Sequence, residues 1–78
     1  MRVSVRLNGP MATLLGPRRE IELADGARVS DLLGVLADLA GVAGVPGLAV
    51  SIDGTIVEAT RSLAEGDQVA VLAPVAGG

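Results

Sequence analysis

Residues 63–72, Leu-Ala-Glu-Gly-Asp-Gln-Val-Ala-Val-Leu, decide the fold because they predict a turn followed by a buried strand. Gly66 is expected to supply the positive φ of the turn, with Glu65 and Asp67 in solvent. Apolar residues then occupy both faces of residues 69–72, which is typical of a central strand covered on both sides. The sequence therefore predicts a last strand in the middle of a sheet, and the C-terminal residues leave directly from it.

Alternating apolar residues upstream supply the remaining strands. Apolar side chains at every second position predict strands over about residues 2–7, 19–23 and 48–52. Asp53-Gly54 is a tight-turn dipeptide, and Ile56-Val57 is expected to form a short return strand after it. The first two strands are close in the chain and pair most simply with each other.

One main helix is predicted between the second and third strands, over about residues 31–40. Ser30 is the expected N-cap, Asp31 suits the helix dipole in the first turn, and Gly41 ends the helix as a C-terminal cap. Residues 11–15 are too short to predict more than a loop with one helical turn. The apolar stripe of the main helix, which needs a sheet face to cover, consists of Leu32, Leu33, Leu36, Leu39 and Ala40.

The composition limits the chemistry available to this chain. Its 78 residues make one small domain, which is 50% hydrophobic and contains no aromatic residue. With a net charge of −3 and six arginines as its only basic residues, it offers no basic face or stacking ring for nucleic acid. The absence of cysteine and histidine excludes disulfides, thiolate zinc sites and Cys-His nucleophiles, so neither a metal site nor a bound cofactor is predicted.

Membrane insertion is not predicted either. The most apolar stretch, residues 32–50, is interrupted by Asp38, Pro46 and several glycines. The N-terminal residues alternate between apolar and polar, unlike the apolar core of a signal peptide. We therefore expect a cytoplasmic protein with no membrane partner.

The chain ends in Ala73-Pro74-Val75-Ala76-Gly77-Gly78, which we interpret as a functional tail. Glycine has no Cβ, so a Gly-Gly end can pass through a narrow channel and leave its terminal carbonyl open to attack. Pro74 stiffens the approach to that end at a fixed φ. We predict a folded domain over residues 1–72 and a flexible tail over residues 73–78.

The predicted order of strands and helix matches the α+β class and the β-grasp (ubiquitin-like) layout, a mixed sheet of about five strands packed on one main helix. Together with this order, residues 63–78 resemble the ubiquitin-like sulfur carriers. That family includes the molybdopterin synthase small subunit (MoaD-like) and the thiamine sulfur carrier (ThiS-like). Ala73 departs from the pattern, since molybdopterin carriers usually have a second proline there.

The resemblance implies that Gly78 carries the chemistry. In such carriers a ubiquitin-activating-like adenylyltransferase uses ATP to join the terminal carboxylate to AMP. Sulfur from a persulfide donor enzyme then replaces AMP to give a thiocarboxylate, which an acceptor such as the molybdopterin synthase large subunit consumes. The protein would be a cosubstrate or small subunit rather than an enzyme. The residues that would contact partners are Leu72, Pro74, Val75, Ala76 and Gly77.

Molybdopterin synthesis is the leading pathway, and three other roles stay open. A related carrier could supply cysteine, thiamine or thio-metabolite synthesis. A ubiquitin-like protein modifier would join the same activated Gly78 to target lysines, and a plain interaction module would not need the tail. Arg2 and Arg6, on the exposed side of the first strand, could contact an acidic partner, although a solvated face is the favoured interpretation.

Overall fold

The structure, a computed structural model, describes residues 1–42 and 48–72. The elements are β1 (Arg2–Leu7), α1 (Gly9–Leu15), β2 (Arg18–Glu22), α2 (Val29–Ala40), β3 (Ala49–Ile52), β4 (Thr55–Val57) and β5 (Gln68–Leu72). The five strands form one mixed sheet in the order β2-β1-β5-β3-β4, with β5 parallel to β1 and antiparallel to β3. This arrangement confirms the predicted β-grasp fold and the pairing of the first two strands.

The core lies between one face of the sheet and the two helices. Alternate residues of the strands point to this face, where they form a single apolar cluster with α2 and with Met11 of α1. Aliphatic side chains and Met11 fill the cluster because the chain has no aromatic residue. The fully buried side chains are Val3, Val5, Val29, Leu32, Leu36, Val69 and Val71.

The central place of β5 is confirmed, but the prediction that it is covered on both faces is wrong. Val69 and Val71 are buried in the core, whereas Ala70 is half-buried and Leu72 is exposed on the opposite face. Among the described residues, both helices pack on the core side only. The other side, which we call the open face, is therefore accessible beside β5.

Helix α2 begins two residues earlier than predicted, and Ser30 is not its N-cap. The helix starts at Val29, which is buried in the core, and Arg28 occupies the cap position. Asp31 lies in the first turn as predicted, where its Oδ2 accepts a hydrogen bond of 2.8 Å from the backbone N–H of Arg28. This is the contact that the third helical residue makes with the cap backbone in a capping box. At the other end Gly41 has φ 73, which confirms the predicted C-terminal cap.

Leu39 is not part of the buried stripe. It lies on the same side of α2 as Leu32, but 48% of its surface is exposed, whereas Leu32 and Leu36 are completely buried. Since the direction of the side chain is the same, its exposure shows that the cover over this side of α2 ends before Leu39. Val29 and Ala37 extend the buried stripe instead.

Residues 11–15 belong to a helix of seven residues, α1, rather than to a loop with one turn. Pro10 lies in the first turn, where a missing N–H breaks no helical hydrogen bond. Met11 packs into the core, whereas Leu14 is exposed. Met11 is the one buried residue of this helix, and a single buried position does not produce the 3.6-residue pattern by which a helix is recognised in a sequence.

Two glycines of the fold should respond oppositely to replacement by alanine. Gly54 has φ 86 beside Asp53 with φ 51, which confirms the tight turn between β3 and β4, whereas Gly34 lies inside α2. A Cβ at either position would meet nothing within 4 Å, so backbone conformation alone decides the sign. Gly34→Ala is expected to raise the free energy of unfolding by about 0.5–1 kcal/mol. Gly54→Ala is expected to lower it by about 1–2 kcal/mol.

Urea unfolding followed by far-UV circular dichroism measures both changes on the same protein. Each variant is the other's control, because the chemical change is identical. Equal shifts of the same sign in the two variants would contradict this account.

Candidate functional site at the exit of β5

The start of β5 is fixed by the turn that precedes it. Gly66 adopts the predicted positive φ, 82°, and its N–H donates a 2.9 Å hydrogen bond to the carbonyl of Arg2. Glu65 is exposed as predicted, but its Oε1 accepts a 3.0 Å hydrogen bond from the Arg2 N–H. Asp67 is half-buried rather than solvated, since its Oδ2 accepts a 2.8 Å hydrogen bond from the N–H of Ala64. These contacts connect the turn to β1 and set where β5 begins.

Both edges of β5 are then paired along the strand. Residues 68–71 run beside residues 4–7 of β1, and residues 69–72 run beside residues 49–52 of β3. Leu72, the last described residue, lies in the central strand, at the end of the sheet where β1 ends and β3 begins. The chain therefore leaves the sheet from its middle strand.

The predicted site residues divide into one that is described and five that are not. Leu72 is 37% exposed at the end of β5, where a partner can contact it. Its role in binding stays a prediction. The other five lie outside the described residues, and their roles also stay predictions: Pro74, Val75, Ala76, Gly77 and Gly78.

A row of side chains crosses the open face close to this exit. The row has one side chain from each strand, and the two near its middle, Ala70 and Ser51, are small. Because they are small, they and Arg6 line a shallow depression of about 230 Å³. Ser51 is buried although it is polar, because neighbouring strands flank it on both sides. From β2 to β4 the row reads Arg18, Arg6, Ala70, Ser51 and Ile56.

Sequence reasoning missed both ends of this row. Ile56 is 62% exposed on the open face, whereas the sequence predicted only that it belongs to a short strand. Strand β2 begins at Arg18, one residue before the predicted start, which adds this side chain to the open face. The period of two seen in Glu20 and Glu22 extends back to Arg18, so the signal was present in the sequence.

The described residues contain neither a cluster of potential metal ligands nor a helix that could cross a membrane. Within residues 1–42 and 48–72, acidic residues nowhere gather in a group of three that could hold a metal ion. No helix in the same ranges has the length and apolar character needed to cross a bilayer.

Sequence comparison assigns the chain to a family. A model of the ThiS family matches residues 5–78, which includes the second half of β1, all later strands and the Gly-Gly end. The chain therefore belongs to the ThiS family, whose members are small ubiquitin-like sulfur carrier or modifier proteins rather than catalysts. No curated protein gives a significant match.

Solved structures share the fold over almost the whole chain. A putative molybdopterin converting factor, subunit 1, from Pyrococcus furiosus is 28% identical, with 96% of this chain and 99% of that chain covered and a TM-score of 0.82. Small archaeal modifier protein 1 of Haloferax volcanii is 19% identical, with 95% and 98% coverage and a TM-score of 0.80. A complex of subunits 1 and 2 of the molybdopterin-converting factor from Helicobacter pylori matches at 23% identity, 100% coverage of both chains and a TM-score of 0.66.

Proposed function

We propose that this protein is a cytoplasmic sulfur carrier that delivers sulfur as a thiocarboxylate on Gly78, with molybdopterin synthesis as the receiving pathway. The observation that supports it most is the family match, which continues from the sheet through Gly78. The likeness to the Pyrococcus furiosus molybdopterin converting factor, at 28% identity, favours this pathway over the synthesis of thiamine, cysteine or another thio-metabolite.

The carboxylate must be activated before sulfur can be attached. A carboxylate is a poor acyl electrophile, so an activating enzyme first joins it to AMP from ATP and releases pyrophosphate. The terminal sulfur of a donor persulfide then bonds to the carbonyl carbon of Gly78, and the bond to AMP breaks. A thiol cleaves the remaining S–S bond and leaves the thiocarboxylate. The chain needs no acid, base or metal of its own for these steps, because partners supply them.

The acceptor would be a synthase that takes the tail into its active site. The subunit complex from Helicobacter pylori supports a partnership of this kind for a protein of the same fold. By analogy we propose the molybdopterin synthase large subunit as the partner of this chain.

Intact mass measurement tests the proposal directly. The purified protein is incubated with ATP, the activating enzyme of the same organism and a persulfide donor, and ATP is omitted in the control. We expect one oxygen to be replaced by sulfur and the change to map to the C-terminal peptide. An unchanged mass with an enzyme set that loads its own known carrier would contradict the proposal.

A modifier function is the second candidate, favoured by the shared fold with small archaeal modifier protein 1. In that case an amine of a target protein, rather than a persulfide, attacks the activated Gly78 and forms an amide bond. This chain has no lysine, so it could not build chains of itself through side-chain amines. A ladder of larger species on blots of cells would favour the modifier over the carrier.

A further inference from the structure

Charge is distributed unevenly along the pair of strands β1 and β2. At one end Arg2 faces Glu22 and forms an ion pair with it, with 3.7 Å between Nη2 and Oε1. At the other end Arg6 faces Arg18 on the open face, and like charges directly opposite each other destabilise a pair of strands. The isolated domain therefore gains no stability from having arginine at both positions.

Within the described part of the chain, no acidic side chain neutralises this pair of arginines. Glu20 lies on the same face, and Asp53 lines the same depression as Arg6, but neither forms an ion pair with Arg6 or Arg18. Both arginines are exposed. They are consequently available to a carboxylate supplied by another molecule.

The arginine pair also lies beside the start of the tail. Arg6 is opposite Ala70, two residues before Leu72. Because neighbouring strands are about 4.8 Å apart, the backbone of Arg18 lies about 10 Å from β5. A segment as long as residues 73–78 reaches about 20 Å at most. A protein that works on the end of the tail therefore comes close to both arginines.

The surface next to the arginines can receive a side chain. The small residues Ala70 and Ser51 line the depression of about 230 Å³ beside Arg6. Exposed Ile56 follows on the far side of the same face, in β4, and Leu72 lies two residues beyond Ala70 along β5. Across the sheet the open face thus changes from positively charged to small and then to apolar.

We propose that Arg6 and Arg18 bind a pair of carboxylates on the enzyme that activates the tail, while an aliphatic side chain of that enzyme fills the depression over Ala70. This inference rests on the proposed function, because it assigns a binding surface to the activation of the tail, which is the first step of that function. Activation precedes both sulfur loading and attachment to a target, so the activating enzyme is the partner that either role requires.

Complementary charge is the reason for choosing an acidic surface. The chain has a net charge of −3, so it repels an acidic protein at long range except where positive charge is locally concentrated. A pair of adjacent arginines therefore fixes the orientation of approach and places the tail toward the enzyme.

The test compares two double variants that remove the same charge. Arg6→Gln/Arg18→Gln changes the proposed surface. Arg28→Gln/Arg61→Gln is the control, since Arg28 and Arg61 are exposed beside the turn before β5, at the end of that strand opposite Leu72. Binding to the activating enzyme of the same organism is measured by calorimetry at about 0.05 M and about 0.5 M salt, where screening differs strongly.

We expect the Arg6→Gln/Arg18→Gln variant to bind roughly three- to tenfold more weakly than the unchanged protein at low salt, as two exposed charge pairs together supply. The difference should disappear at high salt, and the control should bind almost normally. The unfolding temperature should stay equal or rise, because the repulsion between the two arginines is removed. Arg6→Lys/Arg18→Lys, which keeps both charges, should retain most of the affinity.

Equal weakening of the two double variants, or unchanged binding of Arg6→Gln/Arg18→Gln, would overturn the assignment of this surface while the carrier function stands. Failure of the unchanged protein to bind the enzyme or to be adenylated would overturn the proposed function and this inference with it. The adenylation assay on the unchanged protein therefore separates the two failures.

Discussion

Deletion of Gly78 is expected to reduce sulfur loading by more than about 100-fold, because an activating enzyme must hold the attacked carbon in near-attack geometry and a displacement of 1 Å already costs about that much. Removing one residue shortens the maximum reach of the tail by about 3.3 Å. The shortened chain still ends in a glycine carboxylate, so the loss would come from position rather than from chemistry. Intact mass after incubation with the enzyme set measures the loaded fraction.

Ala76→Gly is the matched control for the deletion. It keeps the length of the tail and removes only one methyl group, so loading should stay within a few-fold of normal. The unfolding temperature of the deletion variant should equal that of the full chain, since β5 makes its last strand pairing at Leu72. Normal loading of the shortened chain would show that Gly78 is not the reactive residue.

Leu36→Ala is expected to lower the free energy of unfolding by about 2–5 kcal/mol, because it leaves a cavity in a core of aliphatic side chains. Leu36 is completely buried in α2. A domain of this size has a total stability of only about 4–12 kcal/mol, so the variant loses a large share of it. Urea unfolding followed by far-UV circular dichroism measures the change, since the chain has no tryptophan or tyrosine for fluorescence.

Leu39→Ala is the control in the same helix. It makes the same chemical change at a side chain that is 48% exposed, so the cost should be about 1 kcal/mol or less. Comparable destabilisation at both positions would mean that the last turn of α2 is covered after all.

Most of the fold follows from local patterns. The period of two predicts the strands because one face of each must avoid water, and Asp53-Gly54 and Gly66 mark turns because their backbone angles suit few other residues. The central position of β5 is also predictable, since its run of apolar residues is unusual for an edge strand. These signals lie within single elements and need no knowledge of the neighbouring ones.

The features that could not be predicted depend on contacts between elements. Val29 joins the core and thereby moves the start of α2, so that Asp31 caps the helix from its first turn and Ser30 does not. The exposure of Leu39 depends on how far the sheet extends over the helix, which periodicity cannot report. Ala70 is only half-buried because the helices cover the opposite face of the sheet. Which face the helices cover depends on the topology, and the apolar character of a residue does not reveal it.

The candidate site divides in the same way. The Gly-Gly end is readable as a motif because its chemistry is local. The facing of Arg6 and Arg18 depends on the register between two strands, and shifting that register by one residue would send one of them to the other face. The pair was therefore visible only once the register was known.

The parallel pairing of β1 with β5 has a mechanical consequence. A force that pulls the end of β5 away from the beginning of β1 acts along both strands in opposite directions, so it loads their hydrogen bonds together in shear instead of opening them one at a time. The antiparallel ladder to β3 shares the load. Tension between the beginning of β1 and the end of β5 is therefore resisted by both ladders at once. We expect the domain to stay folded under a pulling force that would unzip a hairpin one hydrogen bond at a time.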